Sequence, residues 1–328
     1  MMFCAAIHTV ECWGAWGMSM PSTAVWPPIA GVSGNPYRRR LRLTLKQSGS
    51  MDKESRIHHN VTLKRMSLDF FQFIRSQRFI TRRMGPAFSV GRRFVEIDIT
   101  YRCNLRCANC NRSCTQAPTD IEMPTSRIAD FISESIEKGI RWRRIRVLGG
   151  EPTLHRDFFD ILHLLLAYRS RHNPDLRIVV CTNGRGARVN RVLDRLPHGV
   201  EIKNTFKTDR QRLFRPFNKA PVDSLWYRFA DYTSGCRIIE DCGIGLTPSG
   251  YYPCAIAGGI DRVFGFGMGR EKLPDPGDRM LEHLAIFCPL CGHFGFSWPT
   301  RRAKCSPSWR NAYAEWLGGL SLKNVHLS

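Results

Sequence analysis

From residue 94 to residue 206 the chain repeats one pattern, a short strand-like run followed by a turn and a helix-like run. The run FVEIDIT (94–100) alternates with period 2, setting Val95, Ile97 and Ile99 against Phe94, Glu96 and Asp98. Residues 126–139 then carry Ile128, Phe131, Ile132 and Ile136 at helical spacing, and Ile140 continues the stripe. Pro124 precedes this helix and Gly139 suits its stop. RIRVLGGEP reads as a second strand, 155–171 as a second helix, 177–184 as a third strand, 188–196 as a third helix and 200–206 as a fourth strand. Repeated strand–helix units predict an α/β fold with a parallel sheet and right-handed crossovers. Ligands of such sheets gather at the carboxyl ends of the strands. The turns after each strand are therefore where chemistry is expected.

The turn after the first strand holds Cys103, Cys107 and Cys110, with three residues between the first pair and two between the second. Three thiolates leave one iron of a four-iron cube free for another ligand, whereas ordinary electron-transfer clusters are closed by four cysteines. A zinc knuckle completed by Cys114 is the competing account, because structural zinc takes four protein ligands. The second strand ends in Gly149, Gly150, Glu151 and Pro152. Glycines let a backbone approach a ligand closely, and a carboxylate there can accept hydrogen bonds. The third strand ends in Thr182, Asn183 and Gly184, and the fourth in Asn204. Their side chains can bond ribose hydroxyls, and they are equally good turn formers.

A C-x3-C-x2-C loop directly after a strand, GGEP about forty residues later and then TNG together resemble the radical S-adenosylmethionine (radical SAM) family. The resemblance implies a partial (β/α) TIM-like barrel over residues 94–215. Four of its usual six units are legible, so the last two are either degenerate or absent. It implies a 4Fe-4S cluster on Cys103, Cys107 and Cys110, with S-adenosylmethionine on the open iron. It places Gly149, Gly150, Glu151 and Pro152 near the ligand's ammonium, and Thr182, Asn183 and Asn204 near its ribose. No other side chain is assigned a catalytic role. One departure stands out. The residue before the third cysteine is usually aromatic in this family, and here it is Asn109.

Thirteen cysteines are many for 328 residues. Besides the first loop, Cys236, Cys242, Cys254, Cys288, Cys291 and Cys305 form a second set, while Cys4, Cys12 and Cys181 stand apart. Residues 243–254 read as a β-hairpin turning at Pro248-Ser249-Gly250. A hairpin between cysteines with a later C-x2-C resembles the SPASM and Twitch extensions of radical SAM enzymes, and fits the shorter Twitch type. This implies a small Cys-rich extension over residues 216–328 with a second 4Fe-4S cluster. Cys254, Cys288 and Cys291 are its expected ligands, with Cys242 preferred to Cys236 as the fourth because it opens the hairpin. A structural zinc, with His293 in a Cys3His set, is the alternative.

The expected activity is reductive cleavage of S-adenosylmethionine to a 5′-deoxyadenosyl radical that takes a hydrogen atom from substrate. The net reaction expected is oxidation of a small molecule, with flavodoxin or ferredoxin as reductant, in the cytoplasm. Modification of a ribosomally made peptide is the rival. A third reading, suggested by the net charge of +21, is a non-enzymatic iron–sulfur or zinc protein that binds nucleic acid. Residues 1–60 are broken by prolines and are expected to be disordered or an over-extended reading frame, with Met51 or Met66 as the start. Residues 61–93 are expected to be helical, and Leu63, Met66, Phe70, Phe71 and Ile74 to pack on the barrel. The loops 216–221, 227–232 and 258–269, with Asp261 and Arg262, are candidates to line a substrate cavity. No apolar run is long enough to span a bilayer.

Overall fold

The computed structural model describes residues 63–206, 214–300 and 305–325, so the expectation for residues 1–60 lies outside the described residues. The period-2 run is strand β1 (Phe94–Thr100), and it is central. Helices α1 (Leu63–Arg75) and α2 (Arg78–Met84) precede it. Strands β2 (Arg144–Gly149), β3 (Arg177–Thr182) and β4 (Val200–Asn204) follow on one side, each parallel to its neighbour. Helices α3 (Thr125–Glu137), α4 (Phe158–His172) and α5 (Ala187–Leu193) make the crossovers. On the other side of β1 lie β5 (Ile244–Thr247), parallel to it, and β6 (Gly250–Tyr252), antiparallel to β5. The six strands run in the order β4-β3-β2-β1-β5-β6 and form an open sheet. The barrel is thus partial, with five parallel strands, β1 to β5, and the antiparallel β6 at one edge. The expected hairpin is present, but it extends the barrel's own sheet.

One face of the sheet is a continuous apolar layer. Val95, Ile97, Ile99, Ile145, Val147, Ile178 and Val180 are fully buried in one core with Ile128, Phe131, Ile161, Leu162 and Leu165 of the crossover helices. Burying each such side chain contributes about 1.5–3 kcal/mol. The opposite face of β1 carries Glu96 and Asp98, and both are buried as well. A central parallel strand covered on both sides must bury whatever it carries. The acids therefore require partners, and these turn out to bear on the cysteine loop.

The chain after β4 wraps this second face with α6 (Arg237–Asp241), α7 (Ala255–Phe264), α8 (Leu281–Phe287) and α9 (Pro307–Val325). Among the described residues no helix is long and apolar enough to cross a membrane.

Helix α1 forms where expected but is turned the other way. Leu63, Phe70, Phe71 and Ile74 are exposed, whereas Asp69, Gln72 and Ser76 are buried. These buried polar residues stand at i, i+3 and i+7, one helical face. Gln72 Nε2 donates to the carbonyls of His293 (2.9 Å) and Phe294 (2.7 Å), and Asp69 pairs with Arg215. The loop that α1 meets presents backbone carbonyls, which a polar face satisfies and an apolar one would strand.

Candidate active site at the carboxyl ends of the strands

The backbone at the end of β2 passes very close to that of β1. A Cβ on Gly149 would lie within 3.0 Å of the Thr100 backbone, and one on Gly150 would crowd the carbonyls of Tyr101 and Arg102 in the same way. Gly149 N–Cα also adopts φ +136, which disfavours any side chain. Gly150 N donates to Thr100 O and Glu151 N to Arg102 O, both at 2.8 Å. The glycines thus admit the start of the cysteine loop, a use of close approach that involves protein backbone.

Glu151 is completely buried. Its Oε1 accepts Thr153 Oγ1 (2.7 Å) and Thr182 Oγ1 (2.8 Å), and its Oε2 accepts Asn183 N (2.8 Å). Pro152 opens the short 3-10 turn Pro152–Leu154 that these bonds cap. One carboxylate therefore ties the turns after β2 and β3. Asn183 carries the tie onward: its Nδ2 donates to Asn104 Oδ1 (2.8 Å) and lies 4.0 Å from Cys103 Sγ. Asn204 Oδ1 accepts Phe206 N at 2.9 Å, and its amide packs on Gly184. The turns after β1, β2, β3 and β4 thus meet or flank one another, as their order in the chain predicts.

The cysteine loop itself is held by groups that sequence reasoning missed. Arg112 is buried, and its guanidinium donates to both Asp98 oxygens (3.0–3.3 Å) and to Glu96 Oε2 (3.3 Å). Arg146 reaches Glu96 Oε1 at 2.8 Å. The signal was present in FVEIDIT, since two acids on one face of a central strand demand buried cations. Arg262, a candidate for substrate contact from sequence, instead donates to Arg112 O (2.8 Å) and Ala117 O (2.7 Å), and its guanidinium lies 4.4 Å over the Tyr101 ring. Asp261 takes Tyr252 Oη (2.5 Å) and Met268 N (2.8 Å). Both side chains are buried and bond groups of the protein.

Beside the loop opens a cavity of about 510 Å³, lined by Tyr101, Arg102, Cys103, Cys114, Leu154 and Arg188 among others. That volume is in the range of small-molecule and cofactor sites. Burial and the neighbouring thiols Cys110 and Cys107 push the Cys103 thiol up to about 11. Cys114 is buried and raised further by its hydrogen bond with Cys110. Thiols in such a setting become thiolates only when a metal cation faces them.

The second set of cysteines converges on a narrow cavity of about 20 Å³. Cys236, Cys254, Cys288 and Cys291 line it with His293 and apolar side chains such as Phe287 and Phe294. Burial and the proximity of the other cysteines push three of the thiols up, Cys254 to about 12 and Cys288 and Cys291 well above the usual range. Cys242 does not line this cavity. It sits at the end of α6 facing the Glu96–Arg146 pair, with Arg146 Nη1 3.6 Å from its sulfur. Cys236, the competing residue, lines the cavity instead. Cys305 lies elsewhere, against Asn218 Nδ2. Among the described residues no three Cys, His, Asp or Glu side chains stand close enough for one metal ion to join them. A four-iron cube carries each thiolate on its own iron, so its ligands stand further apart.

Residues 97–207 match the model of the Radical SAM superfamily. The chain carries a radical SAM domain. Domains of this family use a 4Fe-4S cluster and S-adenosylmethionine, and the thiols and the cavity just described suit that pair. The radical SAM domain spans both the cysteine loop and the turns that surround it. Among curated relatives, a GTP 3′,8-cyclase of Nautilia profundicola is 32% identical over 93 residues, 28% of this chain and 27% of that protein. A probable GTP 3′,8-cyclase of Methanosarcina mazei is 39% identical over 75 residues, 22% of each chain. The chain thus spans only about a quarter of the length of these relatives. Among solved structures, BtrN in complex with AdoMet and 2-DOIA is 13% identical, with a TM-score of 0.36 over 60% of this chain and 87% of that one.

Proposed function

We propose that the protein is a radical SAM enzyme that oxidises a small polar molecule. The observation that carries the reading is the meeting of the cysteine loop with the GGEP and TNG turns through Glu151, Asn183 and Asn104. When bound, the cluster on Cys103, Cys107 and Cys110 and its S-adenosylmethionine supply one electron and a 5′-deoxyadenosyl radical that takes a hydrogen atom from substrate. The chain's own residues bind and orient. Backbone of Gly149 and Gly150 frames the loop, Glu151 holds the two turns in register, and Asn183 fixes Asn104 beside Cys103. Arg112 and Arg262 hold the far side of the loop from the core. Asn204, on Gly184, closes the row of strand ends.

In this reading Cys236, Cys254, Cys288 and Cys291, which line one cavity, would hold a second cluster, and that cluster would supply an acceptor for the second electron of a two-electron oxidation. A flavodoxin- or ferredoxin-type protein supplies the first electron, in the reducing cytoplasm. The cavity beside the cysteine loop is lined by Arg102, Thr119, Asp120 and Arg188 among others and suits a polar substrate. The GTP named for the curated relatives is not carried over, because the likeness covers about a quarter of their length.

Anaerobic reconstitution, followed by dithionite and S-adenosylmethionine, tests the reading. We expect 5′-deoxyadenosine and methionine, lost in Cys103→Ala. Protein that binds iron at the loop but forms no 5′-deoxyadenosine overturns the enzyme reading in favour of a structural cluster. A peptide or nucleic-acid substrate is separated from a small molecule by which of them suppresses uncoupled 5′-deoxyadenosine formation.

A further inference from the structure

Asn109 departs from its family's aromatic residue, and the structure shows what it does instead. Its side-chain amide bonds both ways with one short segment. Nδ2 donates to Arg215 O and Oδ1 accepts Phe217 N, each at 2.7 Å. The side chain thereby mimics a peptide group pairing across a sheet, which only an amide with both a donor and an acceptor can do.

The same segment is gripped from its other side. Gly292 N donates to Phe217 O at 2.8 Å. A Cβ on Gly292 would fall within 3.0 Å of the carbonyls of Pro216 and Phe217, so the two backbones touch. Gly292 directly follows Cys291, whose amide bonds Cys288 O at 3.2 Å. Cys110 and Cys291 are therefore each one residue from a clamp on residues 215–217. Arg215 is itself anchored to Asp69 of α1. The two cysteine sets, separate in sequence, share a single rigid strut.

We propose that Asn109 is a positioning residue that makes the pose of the Cys103–Cys110 loop depend on occupation of the C-terminal cysteine site. This rests on the reading above, in which both sets bind metal. Metal at Cys288 and Cys291 fixes the turn that ends at Gly292. Gly292 fixes Phe217, and Asn109 passes the constraint to Cys110. An aromatic side chain at this position would make neither bond and leave the loop independent of the C-terminal region.

The test uses the full chain, loaded anaerobically, with S-adenosylmethionine titrated against the EPR signal of the reduced first cluster. Cys291→Ser empties or weakens the second site, Asn109→Leu removes both bonds at similar volume, and a third protein combines them. Iron counting and the EPR signal itself come first: a chain without the first-cluster signal refutes the proposed function, not this inference. With the signal present, we expect each single variant to weaken S-adenosylmethionine binding about tenfold, the scale of two lost hydrogen bonds. The double variant should weaken it no further, because both changes cut the same strut. Additive losses, or unchanged binding and an unchanged EPR line shape in Asn109→Leu, overturn the proposal. If Asn109→Leu fails to fold, Asn109→Asp, which keeps the acceptor and loses the donor, replaces it in the same cycle with the same criteria.

Discussion

The carboxylate of Glu151 accepts the backbone amide of Asn183 at 2.8 Å, joining the turns that follow β2 and β3. With Thr153 and Thr182 also donating to it, the buried Glu151 accepts its bonds from the protein itself. Sequence alone suggested that it accepts from a ligand's ammonium. Glu151→Gln places an amide NH2 among these donors or loses charge-assisted bonds. We expect a loss of roughly 2–3 kcal/mol, read as a lower melting temperature of the metal-free protein. A carboxylate that only contacted S-adenosylmethionine would leave that temperature unchanged.

The second cysteine set makes a prediction that separates two neighbours. Cys236 lines the cavity with Cys254, Cys288 and Cys291, and Cys242 does not. In a chain lacking the first loop's thiols, about four irons should remain, the content of a Cys4 cluster. Cys236→Ser should remove them and Cys242→Ser should keep them. The reverse result, or one zinc per chain by elemental analysis, would refute the assignment.

Arg112 neutralises two buried acids, Asp98 and Glu96. Truncating one partner of a buried ion pair leaves uncompensated charge and costs about 3–5 kcal/mol. Arg112→Met should therefore unfold at markedly lower denaturant and bind less iron at the first loop. Replacing Asp98 by Asn together with Arg112→Met should recover part of the loss, as a double-mutant cycle would record.

Gly150 has no room for a methyl group against the carbonyls of Tyr101 and Arg102. Gly150→Ala should move the β2 turn away from the cysteine loop and destabilise the protein by about 1–3 kcal/mol. Stability would be measured by chemical denaturation. 5′-Deoxyadenosine formation should fall more than the remaining folded fraction accounts for.

Much of the scaffold was legible in the chain. The period-2 run at 94–100, the helical stripe through Ile128 and Phe131, and the hairpin at Pro248-Ser249-Gly250 are local patterns, and local patterns survive in a one-dimensional reading. Helix α1 was legible as a helix but not in its orientation. Its apolar stripe suggested packing, while the structure buries Gln72 against carbonyls of a loop more than two hundred residues away and pairs the buried Asp69 with Arg215. No spacing rule carries that information.

The sequence by itself therefore determined the cysteine loop, the turns that follow the strands and the alternation of strand with helix, because each depends on residues within a few positions of one another. Tertiary structure alone decided which four cysteines share a cavity, what Glu151 and Arg262 bond, and why Asn109 can stand where an aromatic is usual. Those outcomes depend on which distant segments meet. Buried donors and acceptors must then find partners among whatever groups the fold brings to them.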